Sequence, residues 1–320
     1  MKVLRTFALA ASAATLIGGL AACGGDDDSS DSSGNTTGTS SGDHGSVTVG
    51  GQNFTEELVL TAIYQQVLEN AGYDVTVKTV TTRDVYVPSL KSGSVDIVPD
   101  YLAGITDFLQ ADQNGADAPI VSSNDVDKTL AELKKLAEPE GISVLQPSSA
   151  TDQNAFFVTQ DFADQNDLTT LSDYAAMNQP IKLGAPSDCK GRPDCEAGLT
   201  QVYGFDITQL VPLEFASAQV KQAVTNGEVD MGETGTTDGT LDALGLVILE
   251  DDKGIQPAQN LTPVVNTDFL DANPDLPDLL DPVSEALTTE DLAEMNAAVD
   301  VERQKPEDVA REFLEDKGLL

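Results

Sequence analysis

The hydrophobic pattern of the chain switches between two periods. Val47-Thr48-Val49 alternates as a strand does, Gly50 to Thr55 breaks the pattern, and apolar residues then recur at helical spacing to about Ala71, with Gly72 placed to stop the helix. Asn53 followed three residues later by Glu56 has capping-box spacing and predicts the start of that helix. Val75 and Val77 begin a second strand that runs to about Val80. A short helix carrying Tyr86 and Leu90 follows, with Pro88 near its start, and Val95-Asp96-Ile97-Val98 gives a third strand leading into Pro99-Asp100-Tyr101. Strand, helix, strand, helix, strand predicts an α/β unit with a mainly parallel sheet and right-handed crossovers.

The same order returns in the second half. Residues 89–101 read SLKSGSVDIVPDY and residues 223–235 read AVTNGEVDMGETG, which pairs Gly93 with Gly227, Val95 with Val229 and Asp96 with Asp230. Strands are expected at Ala155–Thr159, Ile181–Gly184, about Leu210–Phe215 and Leu246–Leu249, and tail helices near 275–287, 289–302 and 306–317. The pattern therefore predicts two similar α/β lobes facing each other. Lobe 1 takes 46–152, lobe 2 takes 153–256, and 257–320 returns to lobe 1. Ligands of parallel sheets bind beyond the carboxyl ends of the strands. That rule nominates loops 50–55, 81–84 and 99–104 in one lobe, and 185–192, 216–219 and 233–239 in the other.

The first residues change the compartment. Lys2 and Arg5 precede an apolar stretch from Phe7 to Ala22, and Leu20-Ala21-Ala22-Cys23-Gly24 has the form of a bacterial lipobox. Residues 1–22 are expected to be a lipoprotein signal peptide, with Cys23 the lipidated residue and 23–45, rich in Gly, Ser and Asp, a flexible tether. The protein is thus expected outside the cell membrane, held to it by lipid only. With Cys23 so assigned, Cys189 and Cys195 are left for a disulfide in an oxidising compartment. Closing that small loop stabilises the fold by roughly 2 kcal/mol.

Charge and missing motifs narrow the function. The chain has 17 basic and 54 acidic residues, a formal net charge of −37. Such a surface repels nucleic acid and mildly favours cationic solutes. There is no GxxxxGK[ST] phosphate loop and no GxSxG elbow, and the single histidine, His44, lies in the tether. No catalytic set, metal site or cofactor is therefore expected, and capture without chemistry is the better account than an enzyme.

The loops so nominated resemble the substrate-binding proteins of glycine betaine/carnitine/choline ABC importers, the quaternary-ammonium osmoprotectant family. The likeness is carried by GGQNFTEELVL, by LKSGSVDIVPDY, by Arg192-Pro193-Asp194, by Thr237-Asp238-Gly239 and by LVILEDDKG, and it spans about 46 to 317. It implies the two-lobed periplasmic binding protein fold (type II-like), with ligand in the cleft between lobes. The implied partners are a cognate ABC permease with a separate ATPase and a small zwitterionic or cationic solute. Tyr101, Gln52 and Arg192 match ligand-contacting positions of the family. Asn154, Gly235 and Gln259 stand where relatives often have Tyr, and the chain has no Trp. The expected cleft is accordingly a polar one, of Gln52, Arg83, Asp152, Asn154, Arg192, Thr236 and Thr237 with Tyr101 as aromatic wall; Phe54, Phe156 and Phe157 are candidate substitutes for the missing rings. A ring-bearing betaine such as ergothioneine suits such a cleft. A lipid-anchored sensor of the same fold, or an importer component for another zwitterion such as an amino acid, are the alternatives.

Overall fold

A computed structural model describes residues 44–320; the signal segment, Cys23 and the tether up to residue 43 lie outside the described residues. His44 stacks on the Tyr73 ring with centroids 4.7 Å apart, so the body starts just ahead of its first strand.

The ten strands are β1 (Ser46–Gln52), β2 (Asp74–Val80), β3 (Ile97–Tyr101), β4 (Ile142–Val144), β5 (Asn154–Thr159), β6 (Pro180–Ala185), β7 (Asp206–Pro212), β8 (Met231–Gly235), β9 (Leu246–Leu249) and β10 (Leu261–Asn266). They form two five-stranded sheets of identical topology, ordered β2-β1-β3-β10-β4 and β7-β6-β8-β5-β9. In each sheet the first three strands are parallel, and the fourth runs antiparallel to both its neighbours. The fold is thus the two-lobed α/β architecture expected, with two mixed sheets flanked by helices.

The repeat has a structural cause. Asp96 Oδ2 accepts the Thr48 amide at 2.7 Å while the Asp96 amide donates to the Thr48 carbonyl; Asp230 makes the same pair of bonds with Lys182, also 2.7 Å at the carboxylate. Each aspartate fixes where the third strand joins the first. Gly93 and Gly227 both adopt φ +70°, a left-handed turn that favours glycine, one step before this staple.

Each sheet buries both faces. The helix Thr55–Ala71 packs with the tail helices Leu276–Ala286, Thr289–Asp300 and Pro306–Lys317 around Leu60, Ile63, Leu68 and Leu314 on one side of the first sheet. The other side holds Tyr86, Leu90, Leu102 and Leu133. Phe156 and Phe157, on alternate faces of β5, sit in the two cores of the second sheet, as strand periodicity requires. They are fully buried and do not reach the cleft.

Several local expectations are corrected. Helix Thr55–Ala71 has Phe54 at its N-cap position and no side-chain cap, because Glu56 is turned into the space between lobes and bonds Tyr101 and Asn296 instead. Strand β7 ends at Pro212, since its neighbour β6 ends at Ala185, and this releases Phe215 into a loop. Strands β4 and β10 carried no clear periodic signal. β10 contains Pro263 directly opposite Pro99, a position where neither partner has an amide to offer. Disulfide Cys189–Cys195 is formed.

The chain passes between sheets twice, and the two passages pair with each other. Thr151 bridges Asn260 in antiparallel fashion, the Asp152 amide donates to the Gln259 carbonyl at 3.2 Å, and the Leu261 amide donates to the Ala150 carbonyl at 2.9 Å. A further contact joins the lobes at Gly239, whose missing side chain lets the loop after β8 lie against the Ala293 carbonyl and Ala297 of helix Thr289–Asp300. Gly239→Ala is expected to push these segments apart and destabilise the protein by roughly 1–3 kcal/mol. Urea denaturation monitored by circular dichroism, against the unsubstituted protein, measures this.

Candidate functional site

The loops at the carboxyl ends of the parallel strands converge on a cavity of about 240 Å³ between the sheets. From the first lobe come Phe54 and Glu56, at the turn from β1 into its helix. Asp152 comes from the first passage between lobes. Phe215 and Ala216 come from the loop after β7, and Gly235 and Thr237 from the end of β8 and its loop. Helix Thr289–Asp300 contributes Asn296.

Two aromatic rings stand open here. Phe54 is 41% exposed and stacks on Tyr101 with centroids 6.4 Å apart; Phe215 is 45% exposed. A Cβ on Gly235 would meet the Phe215 ring at 3.7 Å and Asp152 Oδ1 at 3.1 Å. The Phe215 ring therefore leans over the Gly235 position.

Carboxylates meet beneath the rings. The Tyr101 hydroxyl donates to Glu56 Oε1 at 2.5 Å, and Asn296 Nδ2 donates to Glu56 Oε2 at 2.7 Å and to the Thr237 carbonyl at 3.0 Å. The Thr237 hydroxyl donates to Asp152 Oδ1 at 3.1 Å. Burial raises the carboxyl of Glu56, and burial with the nearby charge of Glu56 pushes Asp152 up to about 7. Burial also raises Glu57 well above the usual range, with Asp100 adding to it, and leaves its Oε1 without a partner. The Tyr101 phenol is raised by its burial and by Glu56, Glu57 and Asp152. These groups hold protons in the empty cleft at pH values where exposed carboxyls have lost theirs.

The basic residues of the region are engaged. The Arg83 guanidinium donates from Nε to both Asp100 oxygens at 3.1 and 3.2 Å and from Nη2 to Oδ1 at 2.6 Å, and Tyr86 donates to the same carboxylate. Gly104 is bare because a Cβ there would press on this guanidinium. Burial disfavours the Arg83 charge, but Asp100 outweighs it and holds the guanidinium protonated. Arg192 grips Asp194 with Nε at 3.0 Å and Nη2 at 2.6 Å and reaches Asp188 at 3.4 Å, while Asn154 Nδ2 donates to Asp194 at 3.0 Å. Lys221 pairs with Asp238 at 2.6 Å in a nearly closed site with Thr234 and Thr240. Thr236 ties the loop after β8 to the first passage, accepting from the Gln153 amide and donating to the Thr151 carbonyl. The Gln52 amide donates to Glu57 Oε2 at 3.3 Å.

Of the residues nominated from sequence, Asp152 and Thr237 line the cavity, and Tyr101 reaches it through Glu56 and Phe54. Arg83, Asn154, Arg192 and Thr236 make the bonds just described, and Gln52 is half-buried behind Glu57. Glu56, Phe215 and Asn296 were not nominated. Glu56 was taken up by the capping-box pattern, and Phe215 by a strand drawn three residues too long. Asn296 lies on a helix from the far end of the chain, and no local signal marks it.

Glu233, in β8 below the cleft, is buried and pushed up to about 7 by burial and by Asp194 and Asp188, against the pull of Arg192. Together with Cys189 and Cys195 it forms the one cluster of potential metal ligands among the described residues, but the two sulfurs are bonded to each other. A raised carboxyl binds its proton more tightly folded than unfolded, so its contribution falls as pH rises through about 7. Glu233→Gln is therefore expected to raise the thermal midpoint at pH 8, by up to about 3 kcal/mol in stability, and to leave it little changed at pH 5. Calorimetric scans at the two pH values give the comparison.

Two lobes with a ligand-sized cavity between them and aromatic faces in its wall have the form of a solute-binding protein. Residues 45–316 match the family described as the substrate binding domain of ABC-type glycine betaine transport systems. The chain is 30% identical over 290 residues to the glycine-betaine-binding protein of Pseudomonas aeruginosa, covering 86% of this chain and 89% of that protein. It is 32% identical over 283 residues to the glycine betaine-binding protein YehZ of Escherichia coli, covering 85% and 90% respectively. The structure of apo YehZ superposes with a TM-score of 0.73 at 30% identity, over 86% of this chain and 99% of that one. The crystal structure of a glycine betaine/carnitine/choline ABC transporter shares the fold, with a TM-score of 0.71 at 22% identity over 85% and 99%. This chain belongs to the family of substrate-binding domains of ABC-type glycine betaine importers. Those relatives are binding proteins, and the family is one of transport systems. No helix among the described residues is long and apolar enough to cross a membrane.

Proposed function

We propose that this protein is the lipid-anchored, extracytoplasmic capture component of an ABC importer for a quaternary ammonium compound. The observation that carries this reading is the meeting of Phe54 and Phe215 with Glu56 and Asp152 in one interlobe cavity, with Tyr101 stacked on Phe54 and bonded to Glu56 behind them. A quaternary ammonium has no N–H to donate, so it is recognised by ring faces and by charge, and each desolvated ring contributes about 0.5–2 kcal/mol. About 240 Å³ is small, which suits a compact headgroup better than a sugar or peptide.

Ligand enters between open lobes, contacts Phe54 from one lobe and Phe215 from the other, and thereby favours the closed arrangement. The paired passages at Thr151–Asn260 are the natural hinge, since they are the only chain connections between sheets. Thr237 and Asn296 latch the lobes near the cavity, while Arg83, Arg192, Asn154, Thr236 and Gln52 lie outside its lining and brace the segments around it. The sequence around Cys23 supports anchoring by lipid, and the cognate permease with its ATPase completes the importer. No reaction is performed, and no cofactor is required.

A thermal-shift screen of quaternary ammonium compounds against amino acids and sugars tests this reading. A ligand at a hundred times its Kd should stabilise the protein by about 2.7 kcal/mol. Phe215→Ala and Phe54→Ala should each weaken binding about 2- to 30-fold in calorimetric titration. A shift with sugars or ordinary amino acids alone would remove the proposed substrate class.

A further inference from the structure

Resting on the function just proposed, the charge balance of the cavity specifies its ligand further. No lysine or arginine is among the residues that line it. Three basic side chains of the region are committed: Arg83 to Asp100, Arg192 to Asp194, and Lys221 to Asp238. Of the four acidic residues that line the space, Asp238 is balanced by Lys221 and Asp300 is exposed, which leaves Glu56 from the helix after β1 and Asp152 from the passage between lobes as the inward pair.

We propose that Glu56 and Asp152 act as a charge filter, which accepts a trimethylammonium compound with a neutral tail in preference to one that carries its own carboxylate, and which gives up a proton as the cation enters. The two groups share Thr237, whose hydroxyl bonds Asp152 at 3.1 Å and also reaches Glu56. The other charged and titratable groups around them are few. Tyr101 stands at the end of β3, Glu57 on the same helix as Glu56, and Asp300 on the helix of Asn296, where it accepts from Thr55 at 2.8 Å. The loop after β8 brings Asp238, whose charge Lys221 balances. None of these offers a free positive charge to a ligand carboxylate. A zwitterion would therefore set its carboxylate against two acids, whereas an alcohol or amide tail can accept from or donate to them.

The empty cleft shares its protons because two ionised carboxylates in a buried space repel each other. Asp152 titrates near 7, so a cation that favours the ionised pair must release a proton on binding near neutrality. Affinity for a simple cation then falls about tenfold from pH 8 to pH 6, if one proton is linked. Affinity for a betaine moves the other way, because a protonated carboxyl donates to the ligand carboxylate instead of repelling it.

Calorimetric titration of the full chain with choline and with glycine betaine, at pH 6 and pH 8 and in two buffers of different ionisation heat, tests this. Choline is expected to bind at least tenfold tighter than glycine betaine at pH 8, with net proton release, and the gap is expected to close at pH 6. Asp152→Asn, which keeps the oxygen that accepts from Thr237, should flatten the choline pH profile and erase the preference; Glu56→Gln should narrow it. Glycine betaine binding as tightly as choline at pH 8, or a choline affinity that ignores pH, would overturn the charge filter and leave the proposed function standing. Binding of neither compound, with a thermal shift from an amino acid or sugar, would overturn both.

Discussion

Everything in this molecule depends on one pairing, the antiparallel contact between the chain leaving the first lobe at Thr151 and the chain coming back at Asn260. Each passage continues into a strand that fills the fourth place of a sheet it did not begin with the others. β5 inserts between β8 and β9, and β10 inserts between β3 and β4. Because both strands enter antiparallel to their neighbours, the carboxyl ends of the parallel strands in the two sheets face the same gap. The site is a consequence of this geometry, for Asp152 sits on one passage and the loops after β1, β7 and β8 arrive around it.

Within that gap the electrostatics are layered. Basic side chains are present, but each is locked to an aspartate in its own lobe, Arg83 to Asp100 and Lys221 to Asp238, and both pairs run from the helix that precedes a third strand to the residues at or beyond its end. These pairs hold the strand ends in place. Glu56, Glu57 and Asp152 make no ion pair among the described residues, and burial raises all three carboxyls. Burying acids in this way costs stability.

How much of this could be read from sequence follows the range of each signal. Periodicity located β1 to β3, β5, β6 and β9 and the tail helices, because those elements bury one face at regular intervals. The duplicated Gly-x-Val-Asp pattern pointed to two lobes, and the staples of Asp96 and Asp230 show why the repeat exists. The fourth strands were harder to see. β10 contains a proline and pairs with a strand some 160 residues away, so periodicity does not announce it. At the site, Tyr101 and Thr237 were reachable from strand-end logic, and Asp152 from the family resemblance. Phe215 was hidden by one misplaced strand end, and Asn296 by its distance along the chain. The arginines were visible, but their aspartate partners decide what they can do, and partnership is a property of the folded chain.

The insertion of β10 also orders assembly in time. The second lobe is built from a continuous stretch, β5 to β9, and can complete its sheet as soon as that stretch of chain is free to fold. The first lobe cannot: β3 keeps an unpaired edge until residues near 261–266 arrive, and the tail helices that cover its sheet come later still. An unfinished sheet edge is a surface for wrong pairings. As the chain folds from its N-terminal end, the older half of this protein must therefore wait for the younger half, and the cleft is the last feature to exist.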